Sequence, residues 1–155
     1  MAYLKEVKKL LLDKGHSLII KLHPGEKDTN IYFDTLGVPS LTNQWSFTDL
    51  SSSDVADLTD ICIVFYSGTC VDFIARGIPC IERSNLDECP ASDSSTFFAG
   101  PNNRLISPYS RYGLVAHAYD SDSLAKLLAA CIMDPQSIVT SQFEAYQSLF
   151  PRGSF

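Results

Sequence analysis

With 155 residues, 45% of them hydrophobic and 19% charged, the chain has the composition of a folded domain and excludes long disorder. Its net charge of -6 excludes a general field for nucleic acid or anionic lipid, so any phosphate must be met by local geometry. The five cysteines, Cys62, Cys70, Cys80, Cys89 and Cys131, show no Cys-x-x-Cys spacing and lie mostly in apolar runs, so no metal site or disulfide framework is expected.

The opening stretch is amphipathic. Leu4, Val7, Leu10 and Leu11 recur at helical spacing, charges fill the other face, and Gly15 stops the helix. A segment this charged is neither a secretory leader nor a membrane span, so a reducing, cytoplasmic location is expected. Ser17 to Leu22 follows as a short apolar run broken by Pro24-Gly25, a strand ending in a turn that carries His23. The stretch from Glu26 to Trp45 is mixed, with a minor strand expected near Pro39 to Thr42. Ser51 to Asp54 offers caps to a short helix through Val55, Ala56 and Leu58.

Ile61 to Phe65 is apolar on both faces, as suits a central parallel strand. After Tyr66-Ser67-Gly68 the period changes to helical through Val71, Ile74 and Ala75, and Gly77-Ile78-Pro79 ends it. Cys80-Ile81 is a further short strand. Residues 83 to 111, rich in Ser, Asp, Asn and Pro, read as one long surface loop and the candidate lid. Leu114 to Ala116 is expected as a last edge strand. A helix capped by Ser121 or Asp122 presents a stripe of Leu124, Leu127, Leu128, Cys131 and Ile132, and Asp134-Pro135 opens a final helix. Strands alternating with helices predict a single α/β domain over 1–150 with a Rossmann-like, doubly wound parallel sheet.

In such a sheet, ligands bind beyond the carboxyl ends of the strands. Two candidate sites stand there. A Ser67-Gly68-Thr69 turn between strand and helix exposes backbone N–H groups, and its hydroxyls can donate to phosphate, which makes it a candidate anion site. The same serine or threonine also serves as an ordinary helix cap. Asp72, about one turn into the helix, favours the helix dipole and can also accept from sugar hydroxyls. His23 can donate to a diphosphate, exchange a proton near neutral pH, or simply close its own turn. Lys21 lies beside it and is either a phosphate contact or solvated, while His16 and His117 are read as surface or loop residues. No dinucleotide-binding or P-loop glycine pattern is present, and Phe65 stands where the first glycine of a Gly-x-Ser-x-Gly elbow would fall. A serine hydrolase built on Ser67 is therefore disfavoured.

Read in order, these blocks resemble the donor-binding half of GT-B transferases, nearest to the CDP-glycerol glycerophosphotransferase and capsular-polysaccharide transferase group. Lys21-Leu22-His23-Pro24 matches that group's strand ending in Lys/Arg-x-His-Pro. Val55-Ala56-Asp57-Leu58-Thr59-Asp60, the strand Ile61 to Phe65, Tyr66-Ser67-Gly68-Thr69, Asp72-Phe73 and Gly77-Ile78-Pro79 follow its second block. The likeness covers about residues 17–82, with Gly68 in place of a serine and Ile78 in place of a lysine.

The resemblance implies one half of a GT-B fold, binding a CDP- or UDP-linked sugar or polyol for cell-surface polysaccharide synthesis. It assigns His23 a catalytic phosphate contact, and Ser67, Gly68, Thr69, Asp72 and Lys21 to donor binding, with neither metal nor further cofactor. Because a GT-B enzyme has two such domains, transferase activity is expected only with a second one, from a partner chain or a homodimer, through which alone a membrane would be reached. Two other readings stand beside it: a non-catalytic binding or assembly module that pairs with another chain, and an enzyme like the UDP-N-acetylglucosamine 2-epimerases.

Overall fold

The structure, a computed structural model, describes residues 2–23, 25–26, 28–40, 42, 44–84 and 96–151. The chain forms two compact units, Met1–Ser51 and Ser52–Phe155.

In the first unit, α1 (Ala2–Leu10) buries Val7, and Leu11 is buried just after it. A 3-10 turn, Leu12–Lys14, ends at Gly15, whose φ of 86° lets its N–H reach the Leu12 carbonyl. The expected first helix and its stop are therefore present. β1 (Leu18–Lys21), α2 (Asn30–Leu36) and β2 (Trp45–Thr48) then form a β-α-β unit, with Leu18 paired to Trp45 and Lys21 to Thr48 in parallel register.

Neither α2 nor β2 is expected from the sequence. Asp28 accepts from the Asn30 amide at 3.0 Å and Gly37 closes the helix, but its Tyr32 and Phe33 are strand-favouring residues in a seven-residue segment. They are helical because their rings pack on β2: Tyr32 meets Phe47 at 5.4 Å between centroids, and Phe33 meets Trp45 at 6.0 Å. The minor strand expected near residue 40 reduces to one antiparallel bridge from Ser40 to Trp45, and Leu41 lies outside the described residues.

In the second unit, α3 (Ser52–Ala56), β3 (Cys62–Val64), α4 (Cys70–Ala75) and β4 (Cys80–Arg83) are followed by an antiparallel pair, β5 (Phe98–Ala99) and β6 (Leu105–Ile106). Then come α5 (Pro108–Arg111), β7 (Ala116–Ala118), α6 (Ser121–Met133) and α7 (Pro135–Leu149). The parallel sheet runs β3-β4-β7. The architecture is mixed α/β with short parallel sheets of two and three strands.

Three expectations are corrected here. The Ile61 to Phe65 strand is an edge of its sheet; the central strand is β4, flanked by β3 and β7 and buried at all four residues. The Leu114 to Ala116 strand begins two residues later, at Ala116, because Ala116 to Ala118 are the residues that pair with Ile81 to Arg83. The long loop from 83 holds the β5/β6 pair and α5, capped by Ser107, and the lid expectation for 85–95 lies outside the described residues.

The core gathers Val55, Ala56, Cys62, Val64, Cys70, Phe73, Ile74, Cys80, Leu114 and Val115. Burying a side chain such as Ile74 stabilises by about 1.5–3 kcal/mol. Of the α6 stripe, Leu124, Leu128 and Cys131 are buried, whereas Ile132 is half exposed. The Asp120 side chain caps α6 by accepting from the Ser123 amide at 2.8 Å, one residue ahead of the expected cap. From α7, buried Gln142 donates to the Cys80 carbonyl at 2.7 Å and accepts from the Cys80 amide at 2.9 Å. A side-chain amide thus pairs with the backbone at the start of β4 as a neighbouring strand would. The described residues include no helix long and apolar enough to cross a membrane.

Candidate functional site

The two sequence-predicted groups fall in different units. In the first, β1 leads to Leu22 and His23. His23 is exposed; its Nδ1 accepts from the Gly25 amide at 3.1 Å and its carbonyl from the Glu26 amide at 2.8 Å. The ring therefore closes its own turn, as one of its three readings had it. An accepting Nδ1 places the neutral ring's proton on Nε2, so the outward nitrogen is a donor. Lys21 is not simply solvated: its Nζ donates to the Leu50 carbonyl at 2.7 Å, tying the end of β1 to the segment after β2. Pro24 lies outside the described residues.

In the second unit, Ser67, Gly68 and Thr69 connect β3 to α4 at the carboxyl end of a parallel strand. The Ser67 hydroxyl donates to Thr69 Oγ1 at 2.9 Å and accepts from the Thr69 amide at 3.3 Å. This local turn uses the Ser67 proton and the Thr69 amide. It leaves the Gly68 amide and the Thr69 hydroxyl proton without an acceptor among the described residues. Gly68 has no left-handed φ, so the reason for a glycine is space: a Cβ there would stand 3.0 Å from the Tyr109 hydroxyl. Asp72 is exposed on α4, its amide bonded to the Thr69 carbonyl at 3.1 Å. Asp57, within the resembling block, pairs with Arg76, which also donates to Ser53 Oγ at 2.8 Å; this joins α3 to α4.

Around the same end of the sheet stand residues to which the sequence reading gave no role in the site. Tyr66 has a φ of 53°, the left-handed region that a bulky side chain rarely adopts. Glu82, on β4, is fully buried, accepting from Ser84 Oγ at 3.1 Å and closely from Ser107 Oγ. Burial pushes its carboxyl above the usual carboxylate range, against the two serine hydrogen bonds that hold it down. Tyr109, on α5, also has its phenol raised, first by burial and then by Cys70, Tyr66 and Glu82 nearby. His117, read from the sequence as a surface or loop residue, is half-buried on β7 in register with Glu82. Its Nε2–H donates to the Ser84 carbonyl at 3.1 Å, and its ring lies 4.3 Å from that of Tyr119. Arg83 donates to the Tyr119 carbonyl at 3.1 Å. One signal was readable beforehand: a Glu between Ile81 and Arg83 in a strand too apolar to be exposed.

The cysteines form the other cluster. Cys62 and Cys80 are register partners on β3 and β4; with Cys70 and Cys131 they are buried free thiols, and Cys89 lies outside the described residues. Burial, with Cys62 nearby, pushes Cys70 up to about 12, while Cys80 is raised by the hydrogen bond its thiol donates to Cys62 and by burial. These thiols pack as small hydrophobes, and no group of three metal-ligating side chains occurs among the described residues.

No family model, no curated protein and no solved structure matches this chain.

Proposed function

We propose that this chain binds the phosphate-bearing end of a nucleotide-activated donor, as one half of a GT-B-like, doubly wound transferase of sugars or polyol phosphates. One observation carries the reading. At the carboxyl end of a parallel strand, the Ser67–Thr69 turn offers the Gly68 amide and the Thr69 hydroxyl as donors with no acceptor among the described residues. Two donors of this kind suit the oxygens of a diphosphate, which the acidic chain as a whole does not attract. The outward Nε2–H of His23 is a donor of the same kind in the first unit. The part of the Ser67–Thr69 turn in the reaction is to hold charge on the departing nucleotide. Turnover needs the second domain of a GT-B enzyme, supplied by a partner chain or a second copy.

Thermal denaturation with CDP, UDP and their sugar or glycerol conjugates tests the reading. A ligand at about a hundred times its Kd stabilises by about 2.7 kcal/mol, a shift of several degrees. Thr69→Val is expected to remove most of that shift. If no nucleotide at millimolar concentration moves the transition, the reading is wrong.

A further inference from the structure

The central strand carries a carboxyl that its surroundings do not neutralise. Glu82 is fully buried on β4, and its oxygens accept only from two hydroxyls, Ser84 Oγ at 3.1 Å and Ser107 Oγ closely. A buried carboxylate without a cation is costly and the neutral acid is not, so the proton belongs to the closed structure.

The neighbouring elements offer no compensating charge. On β3 the register partner of Glu82 is Val64, and on β7 it is His117, whose Nε2–H is turned to the Ser84 carbonyl. α4 brings the Cys70 thiol near and α5 the Tyr109 phenol, with Tyr66 beside it; burial raises both groups, so they stay neutral near neutral pH. From α6 the buried titratable group is Cys131, raised for the same reason. Arg83, the next residue on β4, alternates to the opposite face and donates to the Tyr119 carbonyl.

Of the two helices near the carboxyl on its own face, α5 is the more weakly held. α4 buries Cys70, Phe73 and Ile74, whereas none of the four residues of α5 is buried. What holds α5 is Ser107, which bonds Glu82 and accepts the Ser110 amide. Local opening begins where few apolar groups are buried, so lifting α5 is the least costly way to bring water to the carboxyl.

We propose that Glu82 is a proton-controlled latch: while protonated it keeps α5 seated on the sheet, and its ionisation releases α5, lifting Tyr109 off Gly68. The device stands whether or not the turn at Gly68 takes a phosphate. Each opening releases one proton. Its equilibrium constant therefore rises about tenfold per pH unit from the ordinary glutamate value of about 4.3 to the raised folded value, then levels off.

Hydrogen exchange of the Ser110, Arg111 and Tyr112 amides, with the intrinsic rate divided out, reads this opening between about pH 5 and 9. In the wild type, protection is expected to lie below that of the α6 amides and to fall by about tenfold per pH unit over part of that range. In Glu82→Gln it should stay constant. Glu82→Leu removes the same proton and serves if the glutamine variant does not fold. Wild-type protection independent of pH would overturn the latch, because the opening would then leave Glu82 covered. Protection equal to that of α6 at every pH would also overturn it, since α5 would then open only in global unfolding. A slope that survives in both variants would belong to His117 and would end the proposal as well.

Discussion

The buried carboxyl of Glu82 shares a hydrogen bond with the hydroxyl of Ser107, and the same Ser107 oxygen accepts the Ser110 amide at 3.1 Å as the cap of α5. One hydroxyl therefore links the central strand to the short helix that carries Tyr109. Around the carboxyl stand Ser84, Cys70 on α4, Tyr109 on α5 and His117 on β7, with no cationic side chain bonded to it among the described residues.

The pH dependence follows. Because burial raises the folded-state value of Glu82, the folded chain holds this proton more tightly than the unfolded chain. The associated stability is fully present below the ordinary glutamate value of about 4.3 and is lost as pH rises through the raised folded value. Glu82→Gln keeps the shape and removes the titration. Its urea midpoint should exceed that of the wild type at neutral pH, and the gap should close on acidification.

Gln142 can be tested in the opposite sense. Gln142→Leu keeps the bulk but leaves the Cys80 N–H and C=O unpaired in the core, with an expected loss of about 2–4 kcal/mol. Urea denaturation reads this directly. A loss well under 1 kcal/mol would mean that the backbone finds other partners.

Gly68 and Tyr109 should be energetically coupled. Gly68→Ala places a methyl 3.0 Å from the Tyr109 hydroxyl and is expected to destabilise by about 0.5–1 kcal/mol. In a Tyr109→Phe background the obstacle is gone, so the same substitution should be neutral or slightly stabilising. Additive effects in the double-mutant cycle would place the two residues apart.

The conformation of Tyr66 has its own signature in stability. Tyr66→Ala removes the ring but keeps a Cβ in the left-handed region, whereas Tyr66→Gly removes both. The glycine variant should be the more stable of the two by about 1 kcal/mol, the reverse of the usual order in a strand or helix.

The buried cysteines give a kinetic prediction. In a Cys89→Ser background, iodoacetamide at about pH 8, near a free thiol's ordinary value, should leave the folded chain unlabelled and modify four thiols once it is unfolded. Mass spectrometry counts the additions. Rapid labelling of Cys70 or Cys80 in the folded state would contradict the burial that raises them.

What could be read along the chain was whatever repeats within a few residues. The α1 stripe ending at Gly15, the strand-turn-helix from Cys62 to Ala75 and the Pro135 start of α7 are all local patterns, and they sit where the periodicity and breakers put them. The Ser67–Thr69 turn was readable for the same reason. By contrast, α2 and β2 were not, because their aromatic residues take their conformation from packing on each other rather than from propensity.

By itself, then, the sequence determined an α/β chain with a strand-ending turn at His23 and a strand-to-helix turn at Ser67. Tertiary structure alone decided that β4 is the central strand of its sheet, that Glu82 meets a serine 25 residues away, and that Gln142 pairs with Cys80 across 62 residues. It also set Tyr109 over Gly68 and Tyr66 at the rim. Periodicity records which face of an element is apolar; which element covers that face, and which buried polar group must then be satisfied, is fixed only when distant surfaces pack.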